Sequence, residues 1–81
     1  MKLFLIHQSQ NDNLDSYDSA VVAAPNKEIA KHMHPSTGKR IIDWSDMRSW
    51  CNGPEHVHVE YIGDADNSIH QGVVCSSFNA G

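Results

Sequence analysis

The run His56-Val57-His58-Val59-Glu60-Tyr61-Ile62 constrains this chain more than any other stretch. Strict apolar–polar alternation has the period of an extended strand, whose successive side chains point to opposite sides of a sheet. Val57, Val59 and Tyr61 are expected to face a core. His56, His58 and Glu60 are expected to face the other way, about 7 Å apart at each second residue. A chain holding such a strand must build a sheet with one dry face and one wet face, because a lone strand leaves its backbone groups unpaired. The 81 residues make one domain, spanning 1–81. A chain this short buries only roughly 60–65% of its unfolded surface. That leaves little room for a deep catalytic cleft, so binding is expected on a groove, an edge strand or an interface between copies.

Elsewhere the chain offers elements to complete the sheet. Leu3-Phe4-Leu5-Ile6 is continuously apolar and reads as a central strand covered on both faces. Gln8 to Ser16 is rich in Asn, Asp and Ser, which form turns and loops. Tyr17 to Ala24 reads as a second strand. Pro25 and Asn26 suit the start of a helix. Ile29, Ala30 and Met33 then make its apolar stripe, Lys27, Glu28, Lys31 and His32 face water, and Pro35 ends it at His34. Asp43 to Cys51 predicts a second, short helix, with Asp43 as N-cap and Asp46 in the capping-box position. Trp44, Met47 and Cys51 share one face of it. Gly53 and Pro54 stop it. Gly72 to Phe78 is the last strand. The expected class is α+β in ββααββ order: a small, mostly antiparallel sheet of about four strands, with one main helix and one short helix packed on one face. The expected hairpins pair the first strand with the second and the third with the fourth.

Charge narrows the partners. The formal net charge is −4, and of the six Lys and Arg residues only Lys39 and Arg40 are adjacent. General binding to nucleic-acid phosphate needs a surplus of both. No stretch is long enough to span a membrane, and the four apolar residues at the start are too few for a signal peptide. A cytoplasmic chain with reduced Cys51 and Cys75 is the expectation. Cys75, in an apolar strand, reads as a small core residue.

Several constellations could carry chemistry. On a strand, His56, His58 and Glu60 would offer two imidazoles and a carboxylate to a metal, the basis of a small metal-binding protein or hydrolase. The sequence identifies no further ligand, and a solvated sheet face is the plainer reading, so no metal and no cofactor is assigned. There is no Gly-x-Ser-x-Gly elbow and no phosphate-cradling glycine loop, and no catalytic residue is assigned. Tyr17, Asp18 and Ser19 leave the long loop and enter a strand. Their hydroxyls and carboxylate can line a small-ligand pocket with His34 and Ser36, or simply cap the strand. Trp44 and Trp50, six apart, cannot share a face of a short helix. One packs on the sheet and the other stays partly exposed near Lys39 and Arg40. Trp50 is the ring we assign to stacking on a flat ligand.

The residues Lys2-Leu3-Phe4-Leu5-Ile6, the Asn/Asp loop, Tyr17 to Ala24, His34-Pro35-Ser36, Tyr61 to Ala65 and Gly72 to Gly81 together have a familiar form. In them the chain resembles a group of small, largely uncharacterised accessory proteins encoded by bacteriophages, over nearly its full length. The resemblance implies a non-enzymatic counter-defence factor acting in the host cytoplasm. Such a protein would sequester a small nucleotide-like host signal in a pocket shared between protomers of a homo-oligomer. It equally admits a protein–protein inhibitor, covering a host defence protein with an acidic surface that mimics nucleic acid.

Overall fold

The computed structural model describes residues 1–45 and 47–80. Its strands are β1 (Lys2–His7), β2 (Ser16–Ala24), β3 (His58–Asp64) and β4 (Gly72–Asn79). Among the described residues, a single α-helix, α1 (Lys27–Lys31), and one 3-10 turn, Pro54–His56, lie between β2 and β3. The strands form one sheet in the order β3-β1-β2-β4, with every neighbouring pair antiparallel.

This corrects the expected ββααββ, α+β arrangement. The molecule is mostly antiparallel sheet, and the second helix does not form over the described part of Asp43–Cys51. Local hydrogen bonds explain why. The Asp43 carboxylate accepts from both the backbone N–H and the hydroxyl of Ser45, at 3.0 and 2.6 Å, closing a turn in place of a cap. The Asn11 amide donates to the carbonyls of Arg48 and Trp50, at 2.8 and 3.0 Å. Asp46, the expected capping partner, lies outside the described residues. The main helix is shorter than its apolar stripe suggests. Asn26 caps it, its side chain accepting from the Ile29 N–H at 2.9 Å, and His32 already ends it. Met33 leaves the helix to bridge Arg40.

The hairpins also differ from expectation. β1 pairs with β2, but β3 and β4 lie at opposite edges of the sheet. β1 and β2 carry the longest apolar runs and take the centre, but only one of their faces is covered: Phe4 and Ile6 are buried while Leu3 and Leu5 stay half-buried, which corrects the expectation of a strand covered on both faces. Residues 65–71 then cross the end of the sheet, starting where the Ala65 N–H donates to the Met1 carbonyl at 3.0 Å. Gly38 packs against this return. Its φ is +71°, and a Cβ there would stand 3.2 Å from the Gly72 Cα.

One sheet face is covered by the long connection 25–57. Phe4, Ile6, Ala20, Val22 and Ala24 from the sheet meet Ala30 of α1 and Met33, Ile41, Trp50, Cys51 and Val57 of the connection. Val59 packs against this core, and Tyr61 meets Phe4 edge-on with ring centroids 5.9 Å apart while staying half-exposed. The register sets two rows across the other face: His58–His7–Ser19–Ser77 and Glu60–Leu5–Val21–Cys75. Cys75 is therefore exposed and Cys51 buried, against the expectation of Cys75 as a core residue. A bulge between Val21 and Val22 sets Cys75 opposite Val21, on the uncovered face. His56 sits in the 3-10 turn before β3, so it does not continue the row of His58 and Glu60. Among the described residues, no helix is long and apolar enough to cross a membrane.

Candidate functional site

The loop between β1 and β2 is tied down at several points. Gln8 is buried, and its amide donates to the carbonyls of Asn11 and Tyr17, both at 2.8 Å, while its oxygen accepts from the Asn11 N–H at 2.8 Å. Gln10 and Asn52 clasp each other. The Gln10 amide donates to Asn52 Oδ1 at 2.8 Å, and the Asn52 backbone N–H donates back at 3.0 Å. Asp15, with φ of +64°, donates its N–H to the Asn79 carbonyl of β4 at 2.6 Å. These bonds make a loop of turn formers into a fixed platform at one end of the sheet.

Tyr17 rises from that platform, its N–H donating to the Ser49 carbonyl at 2.7 Å. Its ring stands 4.8 Å from Phe78 of β4 and 6.4 Å from His34, centroid to centroid. The Ser36 N–H donates to His34 Nδ1 at 3.0 Å. The neutral imidazole therefore carries its proton on Nε2, which lies 3.4 Å from the Ser49 hydroxyl. Burial pushes the His34 pKa down from its usual value, so the ring is neutral at pH 7. Phe78 remains 46% exposed. The result is an aromatic wall beside a neutral, oriented imidazole and a hydroxyl, open to solvent on one side.

Of the residues assigned from the sequence, Tyr17, His34 and Ser36 come together here. Asp18 sits in a β-bulge, exposed, accepting from the Ser19 hydroxyl at 3.2 Å. Ser19 pairs with His7 and belongs to the uncovered face, so the bulge separates it from Tyr17. Trp50 is fully buried in the core, and its indole N–H has no hydrogen-bond partner among the described residues. It has no free ring face for stacking. The half-exposed tryptophan is Trp44, edge-on to His32 with centroids 6.1 Å apart. Phe78 and Ser49 were not among the assigned residues. Only the β2–β4 register brings Phe78 opposite Tyr17, and Ser49 lay inside the expected helix.

None of the concavities described is lined by Tyr17, His34 or Phe78; one of about 580 Å³ lies along β3, lined by His7, Lys27, Lys31, His58 and Glu60 among others. His7 and His58 stack across the strands there. Among the described residues, no three His, Cys, Asp or Glu side chains are grouped to hold a metal. Both cysteines are free. Burial pushes the Cys51 thiol up, which keeps it protonated and unreactive.

No protein-family model, no curated protein and no solved structure matches this chain.

Proposed function

We propose that this chain is a non-enzymatic binding protein that captures a small nucleotide-like ligand at the Tyr17–His34–Phe78 edge. The observation that carries the reading is the ring cluster itself. Two aromatic rings and a neutral imidazole, held by the Ser36 N–H and beside the Ser49 hydroxyl, sit at the surface with a half-exposed phenyl face. Aromatic faces stack on planar bases with little regard to sequence, and an oriented imidazole offers an N–H to a polar ligand group. Asp18 stands close by in the chain and can accept from a ribose hydroxyl.

The Phe78 ring is half-exposed, and among the described residues β4 pairs only with β2. A second copy seated along the free edge of β4 would cover the ring cluster and make a pocket of it, which supports a homo-oligomer with shared sites. In the setting that the bacteriophage resemblance implies, the captured ligand is a host signal and the compartment is the host cytoplasm.

Native mass spectrometry of the purified chain, after incubation with a nucleotide extract of bacterial cells, tests the reading. A retained small-molecule mass supports it. A bare chain at every extract concentration contradicts it. A second reading, inhibition of a host defence protein, is favoured by one feature: the uncovered sheet face, where exposed Ile62 and Val74 flank half-buried Leu3, Leu5 and Val21. Apolar surface of this kind marks docking sites for proteins. Co-purification of a host protein with a chain that holds no small molecule would favour it.

A further inference from the structure

The two edges of the sheet are built differently. At the β3 edge, Glu60 and Asp64 lie within the strand, and Lys27 and Lys31 of α1 line the cleft alongside it. Charged side chains of this kind keep an edge strand from pairing with another chain. β4 carries none. Residues 67–81 contain no Asp, Glu, Lys or Arg, and no proline interrupts the strand. The outer side of β4 has no strand beside it among the described residues. The connection 25–57 reaches only the start of β4, where Gly38 packs against Gly72 and Val73. Those two are half-buried, and every residue from 74 to 79 is exposed. Val74 and Phe78 are among the large apolar side chains left in water.

We propose that β4 pairs with β4 of a second copy, antiparallel and centred on Ser77, so that the two copies form one continuous sheet. The proposal rests on the shared-site reading above and fixes which residues the copies share. Charge favours a second copy at this edge. Chains of net charge −4 repel each other, and β4 is the edge where they meet without facing charges. Symmetry restricts the register. Identical antiparallel strands related by a two-fold axis through the sheet must set one residue opposite itself. The bulge falls at Val74, which leaves 75–79 as the regular exposed run, with Ser77 at its centre. Ser77 then faces the partner's Ser77, Ser76 faces the partner's Phe78, and Cys75 faces the partner's Asn79. Phe78 and the partner's Phe78 become diagonal neighbours about 7–8 Å apart on one face, within reach of each other. Each ring cluster thereby gains a ring from the other copy. The contact closes on itself, and the charged β3 edges at both ends stop the sheet from growing further.

Sedimentation velocity on the full, ligand-free chain reads the oligomeric state, in reducing buffer so that no Cys75 disulfide can imitate the contact. The expected wild-type species is a dimer that dissociates on dilution. Ser77→Lys sets two like charges directly opposite each other across the axis and should leave only monomer. His58→Lys adds the same charge at the β3 edge and should leave the dimer intact. Isotope-filtered NMR on mixed labelled and unlabelled wild type should show contacts between Phe78 and the partner's Ser76, a readout that does not depend on any variant folding. A wild type that is monomeric at every concentration, a dimer that survives in Ser77→Lys, or contacts between copies confined to other residues would overturn the proposal. A dimer with these contacts that retains no small molecule supports the pairing and contradicts ligand capture. A monomer that retains one contradicts the pairing alone.

Discussion

The two faces of the sheet are built from the same strands yet do different work. On one, Phe4, Ile6, Ala20 and Val22 are sealed beneath the connection 25–57. On the other, Leu5 and Val21 are half-buried between Glu60 and Cys75, with no described segment laid over them. Alternation along each strand delivers one set of residues to each side. The covered face therefore holds most of the folding energy, and the open face can change with little cost to the fold. The candidate ligand edge lies where the covered side ends, at Tyr17, His34 and Phe78.

The sharpest way to break this comparison is to cut each face once. Trp50→Ala removes the largest fully buried side chain. It should cost about 3–5 kcal/mol, enough to lower the urea midpoint severely or prevent folding. Val74→Ser on the open face should shift stability by no more than about 0.5 kcal/mol in the isolated chain. A Val74→Ser penalty as large as the core one would mean that a partner already covers that face. Next in size is Gly38→Ala. Its positive φ and the close approach to Gly72 should cost about 1–3 kcal/mol, again read from the urea midpoint. Asn26→Ala should follow at about 1 kcal/mol, since it removes the one side-chain cap of α1.

The smallest expected effect is on pH. Burial lowers the His34 pKa in the folded state, so the unfolded chain binds the extra proton more readily. Stability should therefore be full above about pH 6.5, the ordinary histidine value, and decline as pH falls below it. Thermal melts between neutral and mildly acidic pH should show the decline in the wild type and less of it in His34→Gln.

Much of this architecture is legible in the sequence, and the failures share a cause. The alternation over 56–62 places Val57 in the core and Val59 against it, while Tyr61 touches Phe4 but stays exposed, and the apolar runs locate β1 and β2. What local pattern does not show is where long-range bonds take the chain. Asn11 captures the carbonyls of Arg48 and Trp50, and the segment that looks like a helix becomes an irregular cover. Strand order is equally non-local, so a pairing of β3 with β4 looked natural and the sheet instead parts them. The site was half-visible for the same reason. Tyr17, His34 and Ser36 are brought together in the candidate cluster, but Phe78 joins them only through register. Trp50 looked like a stacking ring because its burial depends on that irregular cover.

Native mass spectrometry on three proteins with the same bacterial nucleotide extract tests the central claim most directly. The three are the wild type, Phe78→Ala at the ring cluster and Val74→Ser on the open face. The account predicts a small-molecule mass on the wild type and on Val74→Ser, and its loss from Phe78→Ala. Retention by Phe78→Ala together with loss from Val74→Ser would place the ligand on the open face and contradict it.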